Sequence, residues 1–379
     1  MPIACPASAT ALLTVVLAGG ALSPRLRLLR QFPDAATALR AGPSAWRAAG
    51  CTPAQRARLA LPDAGYLAHA LAWLAAPRHH LLGLADPDYP ALLAQIDEPP
   101  LALFVEGDPA RLWHPAVAVV GSRSPSPAGR EHARAFATAL AAAGWSVVSG
   151  LATGVDAQAH DGALQVSAGM TVAVVATGLD QTYPTHHAAL HARIAAIGAV
   201  VSEYPPGMPA VQAHFPARNR IIAGLSLGTL VIEAAQRSGA LITARCAAEA
   251  GREVFALPGS IRNPRARGCH RLIRQGAALV EEPAEVTASL AALAQTLAGA
   301  LRTRLDAPTE QARPAPERAP SYTDPDYQCL WKALDHDPTG MDSLIQRSGL
   351  TAAQLSAMLL VMELDGKVMA AHGRYCRKP

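Results

Sequence analysis

Long apolar runs are missing from this sequence, and their absence excludes one class of protein. No segment of the 379 residues reaches the roughly 20 apolar residues that a membrane-spanning helix needs. The stretch from Leu12 to Leu22 is apolar, but no lysine or arginine precedes it and charged residues follow from Arg25. It predicts a buried helix rather than a signal peptide. We therefore expect a cytoplasmic protein with no membrane partner.

Lysines, paired cysteines and catalytic motifs are also scarce or missing. Lys332, Lys367 and Lys378 are the only lysines among 33 basic residues. The six cysteines show no C-x-x-C spacing, which indicates free thiols in a reducing compartment. The sequence has no H-E-x-x-H, no G-x-S-x-G, no G-K-[ST] and no clustered metal-ligand spacing. These absences argue against the enzyme classes that carry such motifs, and we expect no metal and no cofactor.

The most informative stretch begins with the apolar run from Val117 to Val120. A short apolar run bounded by glycine predicts a buried strand. Gly121 to Arg123 then predicts a tight turn, and Ser126-Pro127 predicts a helix N-cap followed by proline at the first helical position. The N–H groups of such a helix end favour a phosphate, with Arg123 facing the same space. The spacing fits no dinucleotide fingerprint, so a glycine needed only for the turn is the alternative.

Further apolar runs alternate with alanine-rich segments in the way that parallel α/β sheets require. They lie at Ser146–Ser149, Val172–Ala176, Ala199–Ser202, Thr229–Ile232, Val254–Leu257 and Ala278–Val280. Ahead of this domain, residues 1–76 predict an all-helical domain of the helix-hairpin kind. Behind it, residues 298–325 are rich in proline and mixed charge, which is typical of a linker. The domain boundaries predicted are thus 1–76, 77–297, 298–325 and 326–379.

Residues 326–379 predict a winged helix. Helices are expected at Tyr327–Leu334, Met341–Arg347 and Thr351–Leu364, followed by a hairpin over Lys367–Tyr375. The segment Thr351–Asp365 would enter the groove, yet it has no basic residue and carries two acids. Base reading by this helix, and with it a winged-helix transcription factor, is therefore disfavoured. Its methionines are expected in the core, and the cations of the wing, at Lys367, Arg374, Arg377 and Lys378, are where any DNA affinity of this domain should lie.

Charge is segregated along the α/β domain although the net charge is only +4. No acid occurs between Glu203 and Glu233 or between Glu253 and Glu281. The two windows hold Arg218, Arg220, Arg262, Arg265, Arg267, Arg271 and Arg274. If these loops meet Arg123 at one sheet edge, they form a basic strip suited to a polyanion. The alternative is an ordinary solvated face.

Several sequence blocks, in order, resemble the DNA-processing protein A family (DprA, or Smf). They are Gly121–Arg123, Ser149–Asp156, Leu179–Pro184, Phe215–Ser226, Ser238–Ala244, Pro258–Ser260 and Gly268–His270. The resemblance implies a Rossmann-like domain that binds single-stranded DNA, forms a homodimer and loads RecA during natural transformation, without catalysis. Thr153 and His187 depart from residues frequent in the family. The DNA site expected comprises Gly121, Ser122, Arg123, Gly150, Gly154, Phe215, Arg218, Asn219, Arg220, Ser238, Gly239, Arg262 and Arg267.

An enzyme is the competing interpretation. The segment Gly228–Glu233 faintly resembles part of the lysine-decarboxylase-like nucleotide phosphoribohydrolases, although Ser226-Leu227 replaces their leading glycines. Asp156, His160 and Asp161 could form an acid-base set, but Asp156 is better explained as the cap of the helix that begins there. We therefore expect a binding protein. Phe215, next to Pro216, is expected in an exposed loop where its ring could stack on a base.

Overall fold

The alternating pattern folds into one nine-stranded sheet in a computed structural model that describes residues 6–306, 325–334, 339–351, 354–355, 358–359, 362, 367–371 and 374–377. The strand order is β1-β2-β6-β5-β4-β3-β7-β8-β9. All neighbours from β6 to β9 are parallel, while β2 is antiparallel to β6 and to β1. The predicted mostly parallel sheet is confirmed. Its strands are His79–Gly83, Ala102–Gly107, Ala116–Val120, Ser146–Ser149, Met170–Val174, Ala199–Ser202, Gly228–Val231, Glu253–Ala256 and Ala278–Leu279.

Helices cover both faces of the sheet. The alternation within β3 shows this, because Val117 and Val119 lie in one buried cluster while Ala118 and Val120 lie in another. Each face of a doubly covered sheet is apolar, so every residue of the strand is buried. These helices are α7 Ala91–Ala94, α8 Pro127–Ala142, α9 Val155–Ala163, α10 Ala188–Ile197, α11 His214–Gly224, α12 Ala240–Glu249, α13 Arg267–Arg274 and α14 Pro283–Asp306.

Six short helices precede the sheet, as predicted for residues 1–76. They are α1 Pro6–Leu17, α2 Leu22–Gln31, α3 Ala35–Arg40, α4 Gly42–Ala48, α5 Pro53–Ala60 and α6 Ala64–Leu74. The single buried helix expected over Leu12–Leu22 is corrected, because Gly19 and Gly20 have φ of +62° and +69° and end α1. Leu13 and Ala70 share a buried cluster with Phe104 of the sheet. Within the described ranges, no helix combines the length and apolar character needed to cross a membrane.

The chain divides into two compact units after Asp306. Helix α14 continues through residues 298–306, so this part of the predicted linker is helical; residues 307–324 lie outside the described residues. The second unit contains α15 Pro325–Ala333, β10 Thr339–Gly340, α16 Met341–Ser348, β11 Val368–Ala371 and β12 Arg374–Arg377, with sheet order β10-β12-β11.

The second unit is the predicted winged helix. The hairpin predicted over Lys367–Tyr375 is present as β11 paired antiparallel with β12. The expected helix Thr351–Leu364 lies partly outside the described residues, but Met358 and Met362 are buried in the core as predicted. One cation of the wing has partners within the unit: the Arg377 guanidinium lies 4.6 Å from the Trp331 ring centroid and also donates to the Trp331 carbonyl. It is therefore engaged within its own domain.

His160 is a fully buried histidine between α9 and β5. Its Nδ1 lies 2.7 Å from Thr171 Oγ1, which itself donates to the Val147 carbonyl at 2.7 Å. The ring must therefore donate from Nδ1, and Nε2 has no hydrogen-bond partner among the described residues. Burial, followed by the charges of His187 and Arg218, lowers the pKa of His160 to about 3. The folded state thus holds this ring neutral.

Acidification from pH 6.5 to 5 is expected to lower the free energy of unfolding by about 2 kcal/mol through His160. The unfolded chain takes up a proton near the ordinary value of 6.5, whereas the folded chain takes it up only near 3. Stability from this residue is therefore present above pH 6.5 and falls as the pH drops. Urea unfolding at several pH values should show a smaller pH slope for His160→Asn than for the wild type. Parallel slopes would contradict this account.

Candidate nucleic-acid interface

A small pocket lies at the carboxyl ends of β3, β4 and β5, where ligands of open parallel sheets bind. Its cavity volume is about 90 Å³. Pockets that enclose a drug-sized molecule are roughly 300–1,000 Å³, so this one admits a phosphate or the edge of a base rather than a whole nucleotide. The lining residues are Arg123, Gly150, Ala152, Thr153, Val175, Ala176, Thr177, Tyr183, Pro184, Phe215 and Arg218.

Two aromatic rings and one guanidinium form the mouth of this pocket. The Phe215 and Tyr183 ring centroids are 5.3 Å apart with the planes tilted by 57°. The Arg123 Cζ lies 5.5 Å from the Phe215 centroid. Arg123 is exposed, Tyr183 is 49% exposed and Phe215 is partly exposed. This mouth presents aromatic surface and a positive charge side by side to solvent.

Phe215 lies in a helix and not in the exposed loop that its neighbour Pro216 suggested. Both residues belong to the first turn of α11, His214–Gly224. Proline is tolerated there because the first N–H groups of a helix have no intrahelical acceptor. The ring is therefore held by a regular element, which fixes its direction better than a loop would.

The N–H groups of the turn after β3 do not form the phosphate site that the sequence predicted. Ser126 caps α8 as expected, since its Oγ accepts from the Gly129 N–H at 3.0 Å. The anion position, however, is filled by Glu233, whose carboxylate accepts from the Ser126 N–H at 2.9 Å and from the Ser126 hydroxyl at 2.6 Å. The Ser122 N–H donates to the Glu233 carbonyl at 2.7 Å. These N–H groups are already satisfied, so Arg123 is what the turn offers to a ligand.

Two glycines of the predicted site shape this turn. A Cβ on Gly121 would lie 2.7 Å from Val155 Cγ2, so a larger residue would push α9 away. Gly154 has φ of +88°, and a Cβ there would collide with the Ser122 carbonyl oxygen. Only glycine meets both the conformation and the space at this point. The two residues bring the loops after β3 and β4 together.

Two buried residues of opposite charge, Arg218 and Asp156, lie at and beneath the floor of the pocket. Arg218 is only 4% exposed, and its Nη1 donates to the Gly150 carbonyl at 2.7 Å and to the Val174 carbonyl. Asp156 Oδ2 accepts from the N–H groups of Gly150 at 3.1 Å and Ala152 at 3.4 Å. Asp156 is thus inside α9 and reaches back to the preceding loop, which corrects its interpretation as the helix cap. Arg218 lies beneath the pocket and organises its walls.

Opposing effects set the protonation of this pair. Burial raises the pKa of Asp156, while the charge of Arg218 opposes that rise. Burial lowers the pKa of Arg218 to about 10, and the charge of Asp156 opposes that fall. Arg218 therefore carries its charge at neutral pH. The charge of Arg218 and the N–H groups of Ala152 and Gly150 favour the ionised form of the Asp156 carboxyl against the effect of burial.

The remaining predicted residues separate into three groups. Arg220 is paired with Glu203 at 2.6 Å, and its Nε donates to the Glu98 carbonyl at 2.8 Å. Asn219 Nδ2 donates to the Gly239 carbonyl at 3.3 Å, and Ser238 Oγ accepts from the Ala240 N–H at 3.3 Å. Asn219, Ser238 and Gly239 thus form one rim beside α11. The exposed Arg262 and Arg267 belong to the region after β8.

The proposed acid-base set does not assemble. Asp156 is buried under the loop, His160 is buried against β5, and Asp161 faces outward in a 2.8 Å ion pair with Arg193. Asp156 and His160 are buried with separate structural partners and Asp161 faces away from them, so the three side chains do not meet at one substrate atom. Glu233, the acid of the phosphoribohydrolase-like segment, is tied to Ser126.

Tyr183 lines the pocket but is not among the residues that the sequence predicts for the site. It lies in the block Leu179–Pro184 after the third apolar run, and that position was the available signal. His187, which departs from the family pattern, is half-buried. Its Nδ1 lies 2.9 Å from the carbonyl oxygen of Leu151, a residue with φ of +56°. The other departure, Thr153, lines the pocket.

This chain matches two family models and is similar in sequence to several known proteins. Residues 80–291 match the family model for DNA recombination-mediator protein A, and residues 313–374 match the DprA winged helix domain. Protein Smf of Escherichia coli K12 is 43% identical over 310 residues, which cover 81% of this chain and 79% of that protein. DNA processing protein DprA of Streptococcus pneumoniae R6 is 46% identical over 205 residues, which cover 54% of this chain and 72% of that protein.

Two solved structures resemble this one. The X-ray structure of DprA from Streptococcus pneumoniae has a TM-score of 0.65 and 36% identity, covering 74% of this chain and 97% of that one. A structure concerned with the single-stranded DNA binding mode of DNA processing protein A from Helicobacter pylori has a TM-score of 0.51 and 29% identity. It covers 56% of this chain and 95% of that one.

Proposed function

This chain belongs to the DNA recombination-mediator protein A family, and we propose that it binds single-stranded DNA at the pocket between Arg123 and Phe215 without chemically changing it. One observation carries the proposal: an exposed guanidinium lies 5.5 Å from an aromatic ring that also packs against Tyr183. Single-strand binding proteins combine cations that track the backbone with rings on which bases stack. A duplex keeps its bases stacked inside, so rings at a pocket mouth favour an unpaired strand.

The charges around the pocket support a backbone contact at Arg123. Glu233 neutralises the end of α8, and Asp156 balances Arg218. Among the residues that line the pocket, this leaves Arg123 as the exposed cation. We place one phosphate against it and a base on Phe215, with Asn219, Ser238 and Gly239 as a polar rim. Arg218 and Gly150 act by holding the pocket in shape.

The competing enzyme function is less compatible with this site. A phosphoribohydrolase must enclose a nucleoside monophosphate, and about 90 Å³ is too little space for one. The acid of the resembling segment, Glu233, accepts three hydrogen bonds from Ser126 and Asn263. Three of the roughly four acceptor positions of this carboxylate are therefore occupied by structural partners.

Family membership supports a finer proposal. We propose that the protein acts as a homodimer in the cytoplasm and loads RecA recombinase onto single strands taken up during natural transformation. RecA loading is measured as RecA-catalysed ATP hydrolysis on a strand already coated with single-strand-binding protein. Stimulation by this protein is the expected result, and no stimulation would remove this part of the proposal while leaving the DNA site intact.

The DNA site is tested by fluorescence anisotropy with an unpaired strand of about 20 nucleotides and a duplex of equal length, a length above typical single-strand footprints. We expect the unpaired strand to bind more tightly. Each phosphate contact contributes about 0.7 to the slope of log K against log salt for single strands. Arg123→Ala should therefore weaken binding and flatten that slope by about 0.7.

A matched control is Arg245→Ala, because Arg245 is also an exposed arginine but is paired with Glu249 at 3.6 Å on α12. Its salt slope should match that of the wild type. Preference of the wild type for duplex, or equal slopes for Arg123→Ala and Arg245→Ala, would refute the proposed site. Turnover of nucleoside monophosphates would bring the enzyme forward instead.

A further inference from the structure

A large apolar side chain, that of Ile261, is exposed to solvent outside the pocket. Ile261, in the loop between β8 and α13, is 83% exposed. A single exposed apolar residue is ordinary on a protein surface, so the exposure alone points to no ligand. The residues around Ile261 point to an anionic ligand. Arg262 and Arg267 are exposed nearby in sequence, and no acid occurs between Glu253 and Glu281. The loop offers apolar surface and positive charge together, as the pocket mouth does.

Hydrogen bonds hold this loop in one shape. The N–H of Asn263 donates to the Ser260 carbonyl at 2.9 Å, and Asn263 Oδ1 accepts from the Arg265 N–H at 2.9 Å. Asn263 Nδ2 donates to Glu233 Oε1 at 3.2 Å. The Ala234 N–H donates to the Arg265 carbonyl at 2.7 Å. A rigid loop loses little conformational entropy on binding. A ligand can therefore contact Ile261 without first ordering the loop.

The loop and the pocket share one edge of the sheet. Arg123 follows β3 and Ile261 follows β8, and only β7 lies between those strands. Two strand intervals of about 4.8 Å separate them by roughly 10 Å. A stacked nucleic-acid strand rises about 3.4 Å per nucleotide, so about three nucleotides bridge the distance. Glu233 joins the two places physically, because it bonds Ser126 on one side and Asn263 on the other.

A second route away from Arg123 runs along the groove between α8 and α9, and it is less suitable. Its lining includes Arg130 and Arg134 but also Glu131. The Arg134 guanidinium donates to Gln158 at 2.7 Å within the groove. An acid and an engaged arginine make this route poorer for a polyanion than the acid-free loop after β8.

We infer that a bound single strand continues from Arg123 across the carboxyl edge of the sheet to the loop after β8, where Ile261 packs on a base or sugar and Arg262 contacts a phosphate. The inference rests on the proposed DNA-binding function and extends it from one pocket to a track. It predicts that the loop matters only for strands long enough to reach it. A protein partner at Ile261 would show no such dependence on strand length.

The test compares an unpaired dinucleotide, which at about 3.4 Å per nucleotide cannot cross roughly 10 Å, with an unpaired strand of about 20 nucleotides, longer than typical single-strand footprints. Ile261→Ser should weaken binding of the long strand roughly fivefold, since it removes part of the burial of an isoleucine. Binding of the short strand should not change. Arg262→Ala should act on the same strand and flatten its salt slope. Leu61→Ser is the matched control, because Leu61 is 82% exposed but lies between α5 and α6.

The outcomes separate this inference from the function on which it rests. If Arg123→Ala weakens binding while Ile261→Ser and Arg262→Ala leave the long strand unaffected, or weaken both strands equally, the track is refuted and the pocket stands. A length-dependent loss in Arg130→Ala with Arg134→Ala, and not in the loop variants, refutes it in favour of the groove. A wild type that binds neither strand refutes both proposals. Equal melting temperatures confirm that these surface variants fold.

Discussion

Asp156→Ala is expected to lower the free energy of unfolding by about 3–5 kcal/mol, the cost of leaving a buried charge without its partner. Arg218 is 4% exposed and would keep its positive charge beneath the pocket. The N–H groups of Gly150 and Ala152 would also lose the carboxylate that accepts from them. Chemical unfolding of the full chain measures the loss, and the transition of the unit that ends at Asp306 is the one that should move.

The double variant Asp156→Ala with Arg218→Met distinguishes a charge pair from simple loss of packing. Methionine fills part of the space without a charge, so the second substitution should recover part of the stability that the first removes. Additive losses would mean that the two residues are not energetically coupled. A loss below about 1 kcal/mol for Asp156→Ala would contradict the role of the pair in the pocket floor.

The elements that the sequence predicted correctly are those decided by neighbouring residues. The run from Val117 to Val120 and the cap at Ser126 depend on apolar burial and on a hydrogen bond three residues away. The winged-helix hairpin likewise follows from a local pattern around β11 and β12. Local rules of this kind can be read along the chain without knowing the fold.

The errors about charge concern side chains whose partners lie far away in sequence. Glu233 fills the anion position of α8 from a distance of 107 residues, and Arg220 bonds the Glu98 carbonyl across 122 residues. The two acid-free stretches of the sequence show which arginines are present. They do not show which of these arginines form ion pairs or hydrogen bonds within the folded protein. Arg123 remains available to a ligand because the carboxylates near it bond to other groups. Only the structure shows that.

Phe215→Ala is expected to weaken single-strand binding by about 1–3 kcal/mol, since that is the usual contribution of a base stacked on an aromatic side chain. This corresponds to roughly a 5- to 150-fold higher Kd. Because the ring carries no charge, the dependence of log K on log salt should keep the wild-type slope, unlike that of Arg123→Ala. The two variants therefore report separately on the stacked base and on the phosphate.

Phe215→Tyr and Phe215→Leu divide the effect further. Tyrosine keeps the ring beside Tyr183 and Arg123 and should bind nearly as the wild type does, whereas leucine keeps apolar bulk without a π face and should bind weakly. Equal binding by leucine and phenylalanine would mean that the side chain only fills the pocket mouth. A changed salt slope in Phe215→Ala would mean that the ring acts by positioning the Arg123 guanidinium 5.5 Å away, so that the base contact lies elsewhere on the rim.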